Sequence, residues 1–233
     1  RFIACGAYEG HSILDFVAQH SGPLQPDTIH SDTHGQSTPI FGLAHMLGID
    51  LMPRIKNWAN LTFYRSSRDV RYEHINGLFT DTIDWKIIAD HIPDVLRVAM
   101  SIKAGKLLPS TILRRLGTRS RKNRLYFAFR ELGRVIRTVF LLRYLSSGEL
   151  RRTIGAETNK VELFHQFAQW ASFGNAGLVH VAARDEQRKL VKYNHLVADL
   201  LIFHTTAAIV GTLARIRADG FGHAITPEAL SGL

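Results

Sequence analysis

His30-Ser31-Asp32-Thr33-His34, followed by Gly35, closes a short apolar run and places a carboxylate where a strand would end. An acidic side chain at the C-terminal end of an α/β strand lies at the ligand-binding edge of the sheet, where there is room for a hard cation and an anionic substrate. The alternative is that Asp32 only begins a turn or caps the next helix, as most Asp residues after strands do. Asp32 is therefore the first candidate site residue.

The elements on either side of this stretch predict an α/β fold for the first 60 residues. Strands are expected at 2–5, 28–31 and 51–55, and helices at 12–17 and 37–47. Ser37 can cap the second helix, and Gly48 can end it. Short strands and helices that alternate in this way are typical of a parallel sheet with right-handed crossovers.

The remainder of the chain has helical periods and little strand signal. After an irregular polar connection at 58–76, helices are expected at 85–104, 109–116, 125–145, 158–171 and 195–218. We therefore expect three parts: an α/β core at 1–84, a basic helical insertion at 85–152 and a helical remainder at 153–233.

Composition indicates a globular protein. The chain has 233 residues, of which 45% are hydrophobic and 21% charged, enough to bury a sizeable core. Cys5 is the single cysteine, which excludes an internal disulfide framework and a cysteine-based zinc site and suits a reducing compartment. Because residue 1 is Arg and an apolar strand-like run follows at once, we expect a piece of a longer protein. The most apolar stretch, 196–214, contains Asp199 and His204, so we expect a soluble, cytoplasmic chain.

The positive charge is concentrated in one segment. The whole chain has a formal charge of +9, whereas residues 97–152 contain 15 Lys and Arg against two acids, a net +13 that leaves −4 for the rest. A local excess of this size predicts a polyanionic partner such as a nucleic acid.

Glu162 is the second candidate site residue, and two interpretations compete for it. In the first, Asn159 is a helix N-cap and Glu162, three residues later, completes a capping box. In the second, Glu162 belongs to a polar stripe on a mostly buried helix, where a carboxylate needs a partner or a metal ion.

Four separated segments resemble, in the right order, the catalytic region of Tn3-family transposases: QPDTIHSDTHGQSTPIFGL (25–43), LMPRIKNW (51–58), FRELGRVIRT (129–138) and ETNKVELFH (157–165). The resemblance extends over nearly the whole chain, from residue 2 to about 220.

The resemblance implies an RNase H-like DDE/D domain, in which two Asp and one Glu hold two Mg²⁺ ions for DNA strand cleavage and strand transfer at transposon ends. By position, Asp32 matches the second Asp and Glu162 the final Glu, as catalytic residues and metal ligands. The first Asp would lie upstream of this chain, so the chain alone is expected to be inactive. The expected fold class is α/β: a partial RNase H-like sheet with a large, basic, mostly helical insertion and a helical C-terminal part.

DNA at transposon ends and targets is the expected partner, with a homodimer in the intact replicative transposase and a bacterial cytoplasmic, nucleoid-associated location. A cluster between the predicted helices of the basic segment is the candidate DNA-binding surface: Arg114, Arg115, Arg119, Arg121, Lys122 and Arg124. Such residues position a duplex through its phosphates without reading its sequence. The alternative is an ordinary solvated helix surface.

Two other functions remain open. His30, Asp32 and His34 would alternate onto one strand face and suggest a zinc hydrolase, although further ligands are not evident. A non-catalytic transposase remnant that only binds DNA nonspecifically is the alternative from a different class.

Overall fold

The fold was obtained as a computed structural model, which describes residues 9–19, 26–117, 123–172, 183–222 and 225–226. The strand predicted at 2–5 lies outside these ranges. The described residues form two compact units that divide between Lys160 and Val161. Most of them are helical, and the strands form two small parallel sheets. This architecture is compatible with the α/β prediction.

The first sheet has the predicted strand, helix, strand order. A 3₁₀ turn, Glu9–Ser12, leads into helix α1 (Ile13–Gln19). Strand β1 (Thr28–Ser31) pairs in parallel with β2 (Asp50–Pro53), and α2 (Thr38–Leu47) connects them. Gly48 ends α2 with φ +82°, a left-handed conformation that favours glycine. The predicted bounds of these elements are confirmed to within about two residues, whereas the Ser37 side chain makes no capping hydrogen bond.

One strand of the second sheet lies in the region predicted to be irregular, and the other follows it. Strands β3 (Phe63–Arg65) and β4 (Phe79–Thr82) pair in parallel. Phe63 and Phe79 are buried, and their ring centroids are 5.8 Å apart. The prediction of an irregular connection at 58–76 was wrong for β3, because strands of three or four residues with one buried aromatic each carry no readable alternation.

Helix α5 (Arg124–Ser146) is the centre of the first unit. It packs against α2 and against α3 (Trp85–Lys103), and α4 (Pro109–Gly117) lies beside them. The α2 and α5 backbones come very close, since a Cβ on Gly42 would lie 2.5 Å from the Phe129 carbonyl oxygen. The core around this crossing includes Phe41, Phe129 and Leu141, all essentially buried.

Helix α6 (Gly148–Ala171) begins ten residues before its predicted start. Asn159 therefore lies inside the helix rather than at its N-cap, so the capping-box interpretation of Glu162 is wrong. Most side chains from 159 to 166 are exposed, and the expectation of a mostly buried helix is wrong as well.

Helix α7 (Arg184–Ile216) also starts earlier than predicted. The stretch Arg184–Gly220 is long and apolar enough to cross a membrane, with a mean hydropathy of 1.8 in its most apolar window, 6% of which is buried. Asp199 lies within this helix.

A buried carboxylate joins α5 to the start of α3. The side chain of Glu131 is 2% exposed and forms ion pairs with Arg130 at 3.1 Å and Arg134 at 2.8 Å. It also accepts a hydrogen bond from the backbone N–H of Asp84. Arg134 in turn lies over the ring of Tyr64, 4.5 Å from its centroid.

Replacing Glu131 with alanine should destabilise the first unit by about 3–5 kcal/mol, because two guanidinium groups and an N–H lose their buried partner. Urea unfolding followed by tryptophan fluorescence measures this change. Glu73→Ala is the control, since that side chain is 85% exposed and should change stability by no more than about 0.5 kcal/mol. A Glu131→Ala effect no larger than that of the control would contradict the prediction.

Candidate active site

Asp32 follows β1 directly, at the C-terminal end of the parallel pair, and its side chain is exposed. The ladder continues past the strand, where the Arg54 N–H donates to the Ser31 carbonyl at 2.8 Å. The chain then turns through a 3₁₀ segment, Thr33–Gln36, in which the Gly35 N–H donates to the Asp32 carbonyl at 3.2 Å. The backbone around Asp32 is therefore fixed, and the residue is exposed.

Gly35 is required by the tightness of this turn. A Cβ at this position would collide with the Ser31 hydroxyl and lie 3.3 Å from Cβ of Pro53. The glycine lets the turn fold back against the ends of both strands, which holds Asp32 at the sheet edge.

The strand geometry that suggested a zinc site is not found. Strand β1 ends at Ser31 and His34 belongs to the 3₁₀ segment, so His30, Asp32 and His34 do not alternate along one strand face. Among the residues that the structure describes, no group of three His, Cys, Asp or Glu could hold a metal ion.

Arg137 connects α5 to this edge of the sheet. Its Nη1 donates to the Gln36 carbonyl at 3.2 Å, and Gln36 Nε2 donates to the Arg54 carbonyl at 3.0 Å. Burial lowers the pKa of the Arg137 guanidinium from its ordinary value, and Arg134 nearby lowers it further, while Tyr64 acts in the opposite direction. The group remains a cation at neutral pH. The sequence analysis gave Arg137 no role, although it lies in the 129–138 segment.

The 3₁₀ segment after β1, the loop after β2 and Arg137 of α5 border an open cleft of about 350 Å³. Polar and basic side chains supply most of its lining, which includes Thr33, Lys56 and Arg137.

Glu157 of α6 belongs to the same compact unit as β1. A hydrogen bond from Lys160, 2.7 Å long, holds its pKa below the ordinary value, and a smaller electrostatic effect of His30 acts in the same direction. His30 Nδ1 is buried and has no hydrogen-bond partner among the described residues.

Glu162 lies in the second unit, on the exposed part of α6. On the same unit, Asn194 Nδ2 of α7 donates to the Ala168 carbonyl of α6 at 3.1 Å. Asp32 and Glu162 thus belong to different compact units, and their convergence on shared metal ions stays a prediction.

The predicted DNA-binding cluster is described in part. Arg114 and Arg115 are exposed in the last turn of α4, and Arg124 is exposed at the first residue of α5. Arg119, Arg121 and Lys122 lie outside the described residues.

Comparison with known proteins gives the family. The family model described as the Tn3 transposase DDE domain matches residues 1–233. The transposase of transposon Tn21 from Escherichia coli is 31% identical over 233 residues, which are 100% of this chain and 23% of that protein. The transposase of Tn501 from Pseudomonas aeruginosa is 32% identical over 88% of this chain and 21% of its own length. The transposase of Tn1546 from Enterococcus faecium is 35% identical over 76% of this chain and 18% of its own length.

This chain spans less than a quarter of the length of these curated relatives. A family match over the full chain, together with a carboxylate at the end of a parallel strand in the first matching segment, identifies it as a member of the Tn3 transposase DDE domain family.

Proposed function

We propose that this chain is part of the catalytic region of a replicative transposase that cleaves DNA strands at transposon ends and transfers them to target DNA. The observation that carries the proposal is the exposed Asp32 carboxylate, held by a rigid turn at the C-terminal end of a parallel strand in a chain that matches the DDE domain throughout. The names of the relatives, all transposases of transposons or insertion elements, support the same reaction class.

Divalent metal ions are the proposed cofactor, with Asp32 and Glu162 among the ligands. Carboxylate oxygens are the donors that Mg²⁺ prefers, and both side chains are exposed. When bound, a pair of such ions activates the attacking oxygen and stabilises the leaving oxygen in phosphodiester chemistry. The chain supplies two of three expected carboxylates, and the third would come from an upstream strand of an RNase H-like sheet.

The remaining parts of the chain have proposed roles in this scheme. Residues 1–84 would form part of the RNase H-like core, 85–152 the basic insertion and 153–233 the helical part that carries Glu162. The partners would be transposon-end and target DNA and a second transposase protomer, in the bacterial cytoplasm close to the nucleoid.

Charge reversal at both Arg114 and Arg115 should weaken DNA binding without regard to sequence. If each residue contacts one phosphate, the slope of log K against log salt should fall in magnitude by about 2. Fluorescence anisotropy with a labelled duplex at several salt concentrations measures the slope. The matched control is Lys189→Glu with Lys192→Glu, two exposed residues of α7 outside the basic segment. Equal changes of the slope in both double variants would show that net charge causes the effect and would contradict the prediction.

The experiment that tests the proposed function compares this chain with a version extended upstream through the missing strands. A labelled transposon-end duplex is incubated with each protein in Mg²⁺ and, separately, in a chelator. Metal-dependent cleavage by the extended protein alone is the expected result. Cleavage by neither protein, with both folded and able to bind DNA, would overturn the catalytic proposal in favour of a DNA-binding remnant.

A further inference from the structure

The cleft beside Asp32 is the feature that the catalytic proposal leaves without a role. It is formed by the 3₁₀ segment after β1, the loop after β2 and one face of α5. Its polar lining residues are Thr33, Gln36, Lys56, Asn57, Asn60 and Arg137.

The chemistry of this lining selects an anion. Lys56 and Arg137 provide two positive charges, the amide side chains and the Thr33 hydroxyl provide neutral donors, and Leu61 is the apolar member. The described lining contains no carboxylate. An apolar ligand would leave these donors unpaired, whereas a phosphate offers several acceptor oxygens to them.

Hydrogen bonds within the protein fix the shape of the cleft. Arg137 is partly buried and fixed by its hydrogen bond to the Gln36 carbonyl. Asn57 is in the left-handed conformation, with φ 57° and ψ 53°, and its carbonyl accepts from the Asn60 N–H at 2.9 Å. Lys56 is exposed, and no ion pair to it occurs in the described part of the chain. A fixed guanidinium and an available ammonium group therefore share one preformed concavity.

The position of the cleft relates its anion to the proposed reaction. Thr33 lines the cleft and directly follows Asp32, so their Cα atoms are about 3.8 Å apart. A DNA strand whose reacting ester lies at the Asp32 carboxylate would therefore pass the cleft, which begins at the next residue of the chain.

We propose that this cleft binds one backbone phosphate of the DNA strand, adjacent to the phosphodiester that is attacked. Lys56 and Arg137 are its binding groups, and they act as positioning residues that hold the reacting strand in register with Asp32. The location next to the reacting ester rests on the proposed function, whereas the phosphate site itself rests on the cleft. The site is separate from the predicted cluster around Arg114.

The test is a scan in which each phosphate near the cleavage position is replaced, one at a time, by an uncharged methylphosphonate. Binding of these duplexes by the full-length protein is measured without divalent metal, so that the readout does not depend on activity. Wild type is compared with Lys56→Gln and with Lys106→Gln, a control at an exposed lysine in the turn after α3. Both lysines are exposed, so thermal midpoints should be unchanged.

For wild type and the Lys106→Gln control, neutralising one phosphate within two nucleotides of the cleavage position should weaken binding about tenfold. For Lys56→Gln, the same replacement should have a clearly smaller effect, because one of the two cationic contacts to that phosphate is already lost while Arg137 remains. Additive effects of Lys56→Gln and every methylphosphonate would overturn the proposal, and so would coupling to a distant phosphate.

Two further measurements distinguish a DNA phosphate from a free anion and the phosphate site from the catalytic role. In the first, the thermal midpoints of wild type and Lys56→Gln are compared with and without inorganic phosphate. If phosphate raises only the wild-type midpoint, and the effects of Lys56→Gln and the methylphosphonates on DNA binding are additive, the cleft is a site for a free anion and the proposal is wrong. Failure of the proposed function appears separately, as absence of Mg²⁺-dependent cleavage by wild type, and a coupled phosphate in such a protein would still establish the phosphate site.

Discussion

Asp32→Asn should abolish strand cleavage in the full-length protein, with a loss of about 10³-fold or more in the single-turnover rate. Asparagine keeps the size of the side chain and the turn around it, because that turn is made by backbone groups of Asp32 and Gly35. It removes the anionic oxygen that a hard divalent cation requires. DNA affinity measured without metal should stay the same or rise slightly, because one negative charge near the phosphates is gone.

Asp27→Asn is the matched control for this variant. Asp27 is exposed and lies immediately before β1, whereas Asp32 lies immediately after it, so the two carboxylates mark opposite ends of one strand. Ligand binding in α/β sheets occurs at the carboxyl ends of the strands. Cleavage retained by Asp32→Asn, or lost equally in Asp27→Asn, would remove Asp32 from the active site.

The position of Asp32 could be predicted because strong local signals agree there. A short strand, a helix with Pro39 in its first turn and a glycine stop follow one another within 21 residues, and the proline and the glycine each act through a backbone preference. The start of α6 could not be read in this way. The residues from 148 to 158 include Gly155 and two threonines, which weaken the helical signal, and tertiary packing of Ile154 overrides that weakness.

Arg137 was missed for a different reason. A helical period shows which face of α5 is polar, but it does not show what that face meets across 101 residues of sequence. The partner is a backbone carbonyl in the turn after β1. Because every residue has a backbone carbonyl, the sequence does not show which one a distant side chain will contact. Only the family resemblance at 129–138 offered a hint, and it contained no physical reason to choose Arg137 over Arg130 or Arg134.

Glu162→Gln should also eliminate cleavage in the full-length protein, by about 10³-fold or more, if Glu162 is the final metal ligand. DNA binding should be retained, since the side chain is exposed and the substitution keeps its shape. Glu149→Gln, at an exposed residue in the first turn of the same helix, is the control that should leave cleavage unchanged.

Glu157 provides a second comparison for this prediction, because it is the other acidic residue in the 157–165 segment. Five residues of α-helix correspond to a rotation of about 140°, so Glu157 and Glu162 face different directions and cannot serve one metal site equally. Glu157 belongs to the same compact unit as Asp32 and forms an ion pair with Lys160 at 2.7 Å, whereas Glu162 belongs to the other unit. Loss of cleavage in Glu162→Gln with activity retained in Glu157→Gln would mean that the second unit must supply a ligand to the site at β1. The reverse result would transfer the role to Glu157 and confine the known carboxylates of the site to the first unit.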